Sequence, residues 1–110
     1  MAVLSNKPDD FVKLMTRQLF GQNRFEVILG QRDGVLCKPN PAGVLDILKQ
    51  MQVSRDEALY VGDSGTDMTT ANAAKVRGVG VSWGFRYRRE LLAAGANHII
   101  DKPSELLALL

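Results

Sequence analysis

Ala58-Leu59-Tyr60-Val61-Gly62-Asp63-Ser64-Gly65-Thr66-Asp67 is the stretch on which the reading of the fold turns. Ala58 to Val61 has the composition of a short strand. Gly62 to Thr66 carries turn chemistry, since Gly, Asp and Ser all favour bends. A helix then runs from Asp67 to about Lys75. A strand, a tight loop and a helix in succession are the building step of a parallel sheet.

The same step recurs on both sides. Downstream, Val76 to Trp83 contains a strand softened by Gly78 and Gly80, Tyr87 to Ala94 is a helix closed by Gly95, His98-Ile99-Ile100 is a last strand, and Pro103 to Leu110 is a closing helix. Upstream, Ser54-Arg55-Asp56-Glu57 has capping-box spacing and makes one short turn. Asn40 caps a helix with Pro41 at its first position. Val44, Ile47, Leu48 and Met51 line one face of that helix. Gly30 to Lys38 is a loop, and Phe25 to Leu29 is a strand. Pro8-Asp9-Asp10 opens a helix whose Phe11, Leu14, Met15 and Leu19 follow helical spacing, with a break at Gly21 to Asn23. Ala2-Val3-Leu4 is a buried strand ending at Ser5-Asn6. Repeated strand–helix alternation predicts an α/β fold: a Rossmann-like parallel sheet with helices on both faces, in one domain over residues 1–110.

Composition narrows the function classes. A chain of 110 residues suits one small domain. With 45% hydrophobic and 24% charged residues it has an ordinary globular mixture. No apolar run is long enough for a membrane span, and no secretion signal opens the chain. Cys37 is the single cysteine, so no internal disulfide forms and a reducing, cytoplasmic setting is expected. A net charge of +2 is too small for a nucleic-acid binder. Arg86, Arg88 and Arg89 form one basic cluster, either a solvated helix start or an anion contact. Met1 to Leu4 is strand-like from the first residue, which is expected of a chain that starts within a core.

In open parallel sheets ligands bind beyond the carboxyl ends of the strands. Those ends hold Ser5-Asn6, the loop with Lys38, Asp63 to Asp67, and Ser82-Trp83-Gly84. A hydroxyl, backbone amides at a helix start, a lysine and two carboxylates suit an oxyanion together with a hard cation. Each residue also has a plainer reading. Asp63 can serve turn chemistry, Asp67 or Ser5 a helix cap, Lys38 a solvated surface, His98 a strand end and Trp83 packing. Cys37 has no nearby base and reads as inert.

Ser5-Asn6-Lys7, Lys38-Pro39-Asn40-Pro41 and Val61-Gly62-Asp63-Ser64-Gly65-Thr66-Asp67 occur in order at strand ends. Together they resemble the second, third and fourth motifs of haloacid dehalogenase-type phosphatases. Val81-Ser82-Trp83-Gly84-Phe85-Arg86 and Asp101-Lys102-Pro103-Ser104-Glu105-Leu106 resemble the phosphoglycolate phosphatase branch. The resemblance covers nearly the whole chain. It implies a magnesium-dependent phosphomonoester hydrolase acting on a small phosphorylated metabolite such as 2-phosphoglycolate. It implies phosphoryl binding by Ser5 with help from the Asn6 amide, and a catalytic Lys38 that holds the same group. It implies a direct magnesium ligand in Asp63, and catalytic and metal support from Asp67.

The chain departs from that family in one respect. The family's nucleophile is an aspartate two residues before a second aspartate, followed by Gly-Thr, at the end of the first central strand. No such motif is present: Asp33 is preceded two residues earlier by Gln31, and Asp9-Asp10 lies at a helix start. The cap region inserted after that motif is also absent. Without the nucleophile no phosphoaspartyl intermediate forms, and the second aspartate's acid–base role is lost with it. By the same resemblance a middle strand is missing, which would leave a gap of about 10 Å. Exposed strand edges pair with other chains, so a homodimer or another association is expected.

Two further readings stand beside a partial phosphatase. One is a non-catalytic module that keeps phosphate and magnesium binding through Ser5, Lys38 and Asp63. The other is a receiver-type signalling domain, which requires an acidic pair at the first strand's end where Leu4-Ser5-Asn6 offers none.

Overall fold

Strand β1 (Ala2–Pro8) and strand β2 (Val27–Gln31) pair in parallel, with Ala2 opposite Val27 and Leu4 opposite Leu29. The computed structural model describes residues 1–34, 36–84 and 87–110. Within these, the chain forms two compact units, Met1–Ser54 and Arg55–Leu110. Each unit holds its own parallel sheet.

In the first unit the sheet is β1–β2. Side chains alternate between the two faces of a strand. Val27 and Leu29 of β2 therefore face one way, and they pack with Ile47 of helix α2 (Ala42–Met51), joined by Ala2, Leu4 and Met51. Helix α1 (Asp9–Phe20) covers the opposite face. A Cβ at Gly30 would stand 2.6 Å from the Asp9 Cα and from the Lys7 carbonyl oxygen, so only glycine lets β2 lie this close to the start of α1. Asp9 fastens the junction, accepting from the Gly30 amide at 2.8 Å and from Lys13 Nζ at 2.6 Å. The Lys13 ammonium, then the Gly30 amide, hold the Asp9 carboxyl below its ordinary pKa.

That close approach decides which residues α1 buries. The residues α1 buries are Val12 and Thr16, while Phe11, Leu14 and Leu19 are at least half exposed. A helix lying near backbone distance from the sheet has room for short β-branched side chains and not for large ones. Element ends also differ slightly. β1 continues past Leu4 with an irregularity before Pro8, and β2 lies two residues later than Phe25 to Leu29, where Phe25 instead packs edge-on against Phe20 at 5.5 Å.

The second unit has the order β3 (Leu59–Gly62), β4 (Arg77–Val81), β5 (His98–Ile100), all parallel. β4 is its centre, and its alternation of glycine and valine sorts the helices onto two faces. Val79 and Val81 point to a core with Ile100, Leu59, Leu106 and Leu109, the last two from a 3₁₀ helix over Pro103–Leu109. Gly78 and Gly80 point the other way. There a Cβ at Gly78 would press on Ala71 and Met68 of α3 (Gly65–Ala73) at 3.2 Å, and one at Gly80 would press on Leu91 of α4 (Arg88–Ala93) at 3.0 Å. The glycines that soften the strand as sequence thus seat two helices as structure.

The Ser54 to Glu57 segment forms the expected single turn, a 3₁₀ turn at Arg55–Glu57, and the closing helix is 3₁₀ rather than α. Among the described residues, no helix is long and apolar enough to cross a membrane. Arg86, expected in the basic cluster, and Phe85 lie outside the described residues, as does Val35 within the loop expected over Gly30 to Lys38.

Candidate functional site

Where β1 ends, Asn6 turns its side chain to the loop that carries Lys38. The Asn6 carboxamide accepts from the Lys38 amide at 3.0 Å and donates to the Lys38 carbonyl at 3.2 Å. Both halves of the amide are spent on one residue's backbone, so Asn6 fixes the place of Lys38. Ser5 Oγ accepts from the Lys7 amide at 3.1 Å, which bends the chain over the hydroxyl. Asn40 N donates to the Cys37 carbonyl at 3.0 Å, and Asn40 Oδ1 accepts from the Ala42 amide at 2.9 Å. The second contact starts α2 one residue later than the sequence implied, with Pro41 just outside the helix. Ser5, Asn6, Arg32, Cys37 and Lys38 line one shallow cleft of the first unit. Cys37 is an exposed free thiol there.

In the second unit the end of β3 carries Asp63 and the start of α3 carries Asp67. Ser64, not Asp67, is the N-cap of α3, and its Oγ accepts from the Asp67 amide at 3.3 Å. The helix therefore opens at Gly65, earlier than expected. Asp67 sits in the first turn, at the positive end of the helix, and is only 6% exposed. Its carboxylate accepts three hydrogen bonds. Oδ1 accepts from Tyr60 Oη at 3.2 Å, and Oδ2 from the Asp63 amide at 3.1 Å and Ser64 Oγ at 3.0 Å. Burial, and then the Asp67 charge and hydrogen bond, push the Tyr60 phenol far above its usual pKa, so it stays a donor. A Cβ at Gly62 would overlap the Asp67 side chain, so glycine before Asp63 lets that carboxylate reach the Asp63 amide.

Asp63 is in the opposite state. Its side chain is half-buried, and among the described residues no donor or cation partners its carboxylate. A carboxylate at a strand end with no donor among the described residues, beside one that accepts three hydrogen bonds, is a fitting oxygen donor for a hard cation. It is one donor. Among the described residues no group of three or more His, Cys, Asp or Glu gathers.

Of the predicted site residues, the structure joins Asn6 with Lys38 beside Ser5, and Asp63 with Asp67. The two sets belong to different units. His98 is a half-buried strand residue opposite Val79, and Trp83, read as packing, is half exposed. Sequence reading passed over Tyr60 and Ser64. Ser64-Gly65-Thr66-Asp67 has capping-box spacing that points to Ser64. Nothing local points to Tyr60, seven residues from Asp67. It also passed over Asp101, which pairs with Arg88 Nη2 at 2.9 and 3.2 Å, so one arginine of the basic cluster serves an internal contact.

Comparison with known proteins follows the same lines. The sequence profile of the haloacid dehalogenase-like hydrolases matches residues 1–81. A phosphoglycolate phosphatase of Pectobacterium atrosepticum is 33% identical over 110 residues, all of this chain and 47% of the relative. One from Pseudomonas putida is 36% identical over 107 residues, 97% of this chain and 39% of the relative. A solved structure from Lactobacillus delbrueckii subsp. bulgaricus superposes with a TM-score of 0.89 at 36% identity, over 96% of this chain and 44% of that one. A "predicted phosphoglycolate phosphatase" from Haemophilus somnus gives 0.86 at 26% identity, over 98% and 48%. The chain thus spans less than half the length of these relatives. By its motifs, its parallel α/β architecture and these matches, the chain belongs to the haloacid dehalogenase-like hydrolase family.

Proposed function

We propose that this chain is the part of a magnesium-dependent phosphomonoester hydrolase that binds the phosphoryl group and supports the metal, in a reducing, cytoplasmic setting. The observation that carries the reading is the contrast between the two aspartates. Asp67 accepts from Tyr60, Ser64 and the Asp63 amide, whereas the Asp63 carboxylate has no donor among the described residues. Magnesium bound there would neutralise phosphate charge. Lys38, whose backbone Asn6 holds, supplies a compact positive charge, and the Ser5 hydroxyl supplies a donor to a phosphoryl oxygen. The substrate class is a small phosphorylated metabolite. 2-Phosphoglycolate is the leading candidate, because relatives bear the name phosphoglycolate phosphatase.

None of the 110 residues forms the aspartyl nucleophile motif. Covalent transfer of the phosphoryl group therefore requires a carboxylate from outside them. The test is an assay of this chain, of verified intact mass, with magnesium and 2-phosphoglycolate or p-nitrophenyl phosphate, alongside magnesium calorimetry. The expected result is no turnover, with magnesium uptake that Asp63→Asn removes. Magnesium-dependent turnover lost in Asp63→Asn would place a nucleophile within the chain and overturn that assignment. No magnesium uptake at all would sink the metal reading.

A further inference from the structure

Asp63 has its backbone and its side chain held by different means. Its amide is held by Asp67. Its carboxylate has no hydrogen-bond donor among the described residues. The turn that leaves β4 comes close to it. A Cβ on Gly84 would overlap the Asp63 Cβ and stand 2.7 Å from Oδ2 and 3.0 Å from Cγ. These separations are shorter than real carbon contacts, and the Asp63 Cβ is fixed to the end of β3, so it cannot swing aside. Gly84 is also not among the glycines with positive φ, which are Gly21, Gly34 and Gly95. Backbone freedom therefore does not account for a glycine at this position, and the closeness of Asp63 does.

The turn itself is tied down at both ends. The Ser82 amide donates to the Ile100 carbonyl at 3.0 Å, joining the turn's start to the end of β5. Asp101, the residue after β5, takes both contacts of Arg88 at the start of α4. Ile100 and Asp101 thus hold the two ends of the β4–α4 connection, and Gly84 lies between them.

We infer that Gly84 is a positioning residue for Asp63, with the Ser82 amide–Ile100 bond and the Arg88–Asp101 pair holding the two ends of its turn. This rests on reading Asp63 as the cation donor. A hydrogen bond used to orient the carboxylate would consume one of its lone pairs. A wall of packed backbone restricts it and leaves both oxygens for the metal. A methyl group at position 84 forces the turn or the end of β3 to move, and the carboxylate moves with it.

The experiment compares the 110-residue chain with Gly84→Ala and Arg88→Ala. It follows the carbon-13 resonance of the Asp63 carboxyl by NMR and magnesium affinity by calorimetry. Gly84→Ala is expected to shift that resonance and weaken magnesium binding by roughly tenfold or more, the size of effect that orienting groups around a metal ligand have. Arg88→Ala, which removes the pair with Asp101 without adding an atom near Asp63, should do the same to a smaller degree. It decides the matter if Gly84→Ala does not fold. Unchanged resonance and unchanged affinity in the folded variants would overturn the inference. If the parent chain takes up no magnesium, the cation reading of Asp63 fails by itself. The Asp63 resonance then judges Gly84 alone: a shift supports the positioning role and no shift overturns it.

Discussion

Tyr60 and Asp67 form a part-buried donor–acceptor pair that makes stability depend on pH. The phenol is raised by burial and by the adjacent carboxylate. The folded chain therefore keeps a proton that the unfolded chain gives up above about pH 10. Where the native state binds more protons, stability falls as pH rises. Tyr60's contribution is thus complete below about pH 10 and declines above it. Tyr60→Phe is expected to cost roughly 1 kcal/mol at pH 8, the usual worth of a lost hydrogen bond. The gap between variant and parent should narrow at pH 10.5 to 11, read by urea denaturation at each pH. A gap that widens at alkaline pH would contradict the pairing. Asp63 and Asp67 were legible as a pair in the sequence because four residues separate them across a loop into a helix. Which of them accepts the three hydrogen bonds was not legible. That depends on Tyr60 and on the missing Cβ of Gly62, and both act through space.

Whole elements were easier to foresee than their faces. The five strands and four helices of the described residues fall where alternation of apolar stretches and turn residues put them, with ends shifted by one or two residues except in β1, which runs on from Leu4 to Pro8. The faces depended on how closely layers approach. On α1 the large apolar residues look like the buried side, yet contact at Gly30 leaves space for Val12 and Thr16 only. On α3, Met68 is fully buried against Gly78. The two helices should therefore answer to truncation in opposite ways. Met68→Ala is expected to destabilise by about 2–5 kcal/mol through the cavity it leaves. Leu14→Ala on the exposed side of α1 should change stability by no more than about 0.5 kcal/mol. Denaturant unfolding of both variants checks the contrast, and comparable losses would mean that α1 packs its large side chains after all.

At the scale of the molecule, the parallel α/β character was readable from alternation alone. Its division into two sheets was not readable from alternation, because pairing leaves little trace in local sequence; it follows instead the missing middle strand that the family resemblance implied. Among the described residues, β1 pairs only with β2 and β3 only with β4. Strand edges with unmet backbone donors and acceptors attract further strands. We expect the chain to self-associate, seen in sedimentation as a mass above the 12.1 kDa of one copy that grows with concentration. A strictly monomeric chain at high concentration would remove that expectation. The clasp between Asn6 and Lys38 has a consequence of another kind. It anchors the far end of the connection that leaves β2, so the place of the lysine does not depend on how the connection travels. Lengthening a surface loop costs little, because closure entropy grows only with the logarithm of its length. The stretch after Arg32 is therefore free to drift in length and composition over evolutionary time, while the residue it delivers stays where it is.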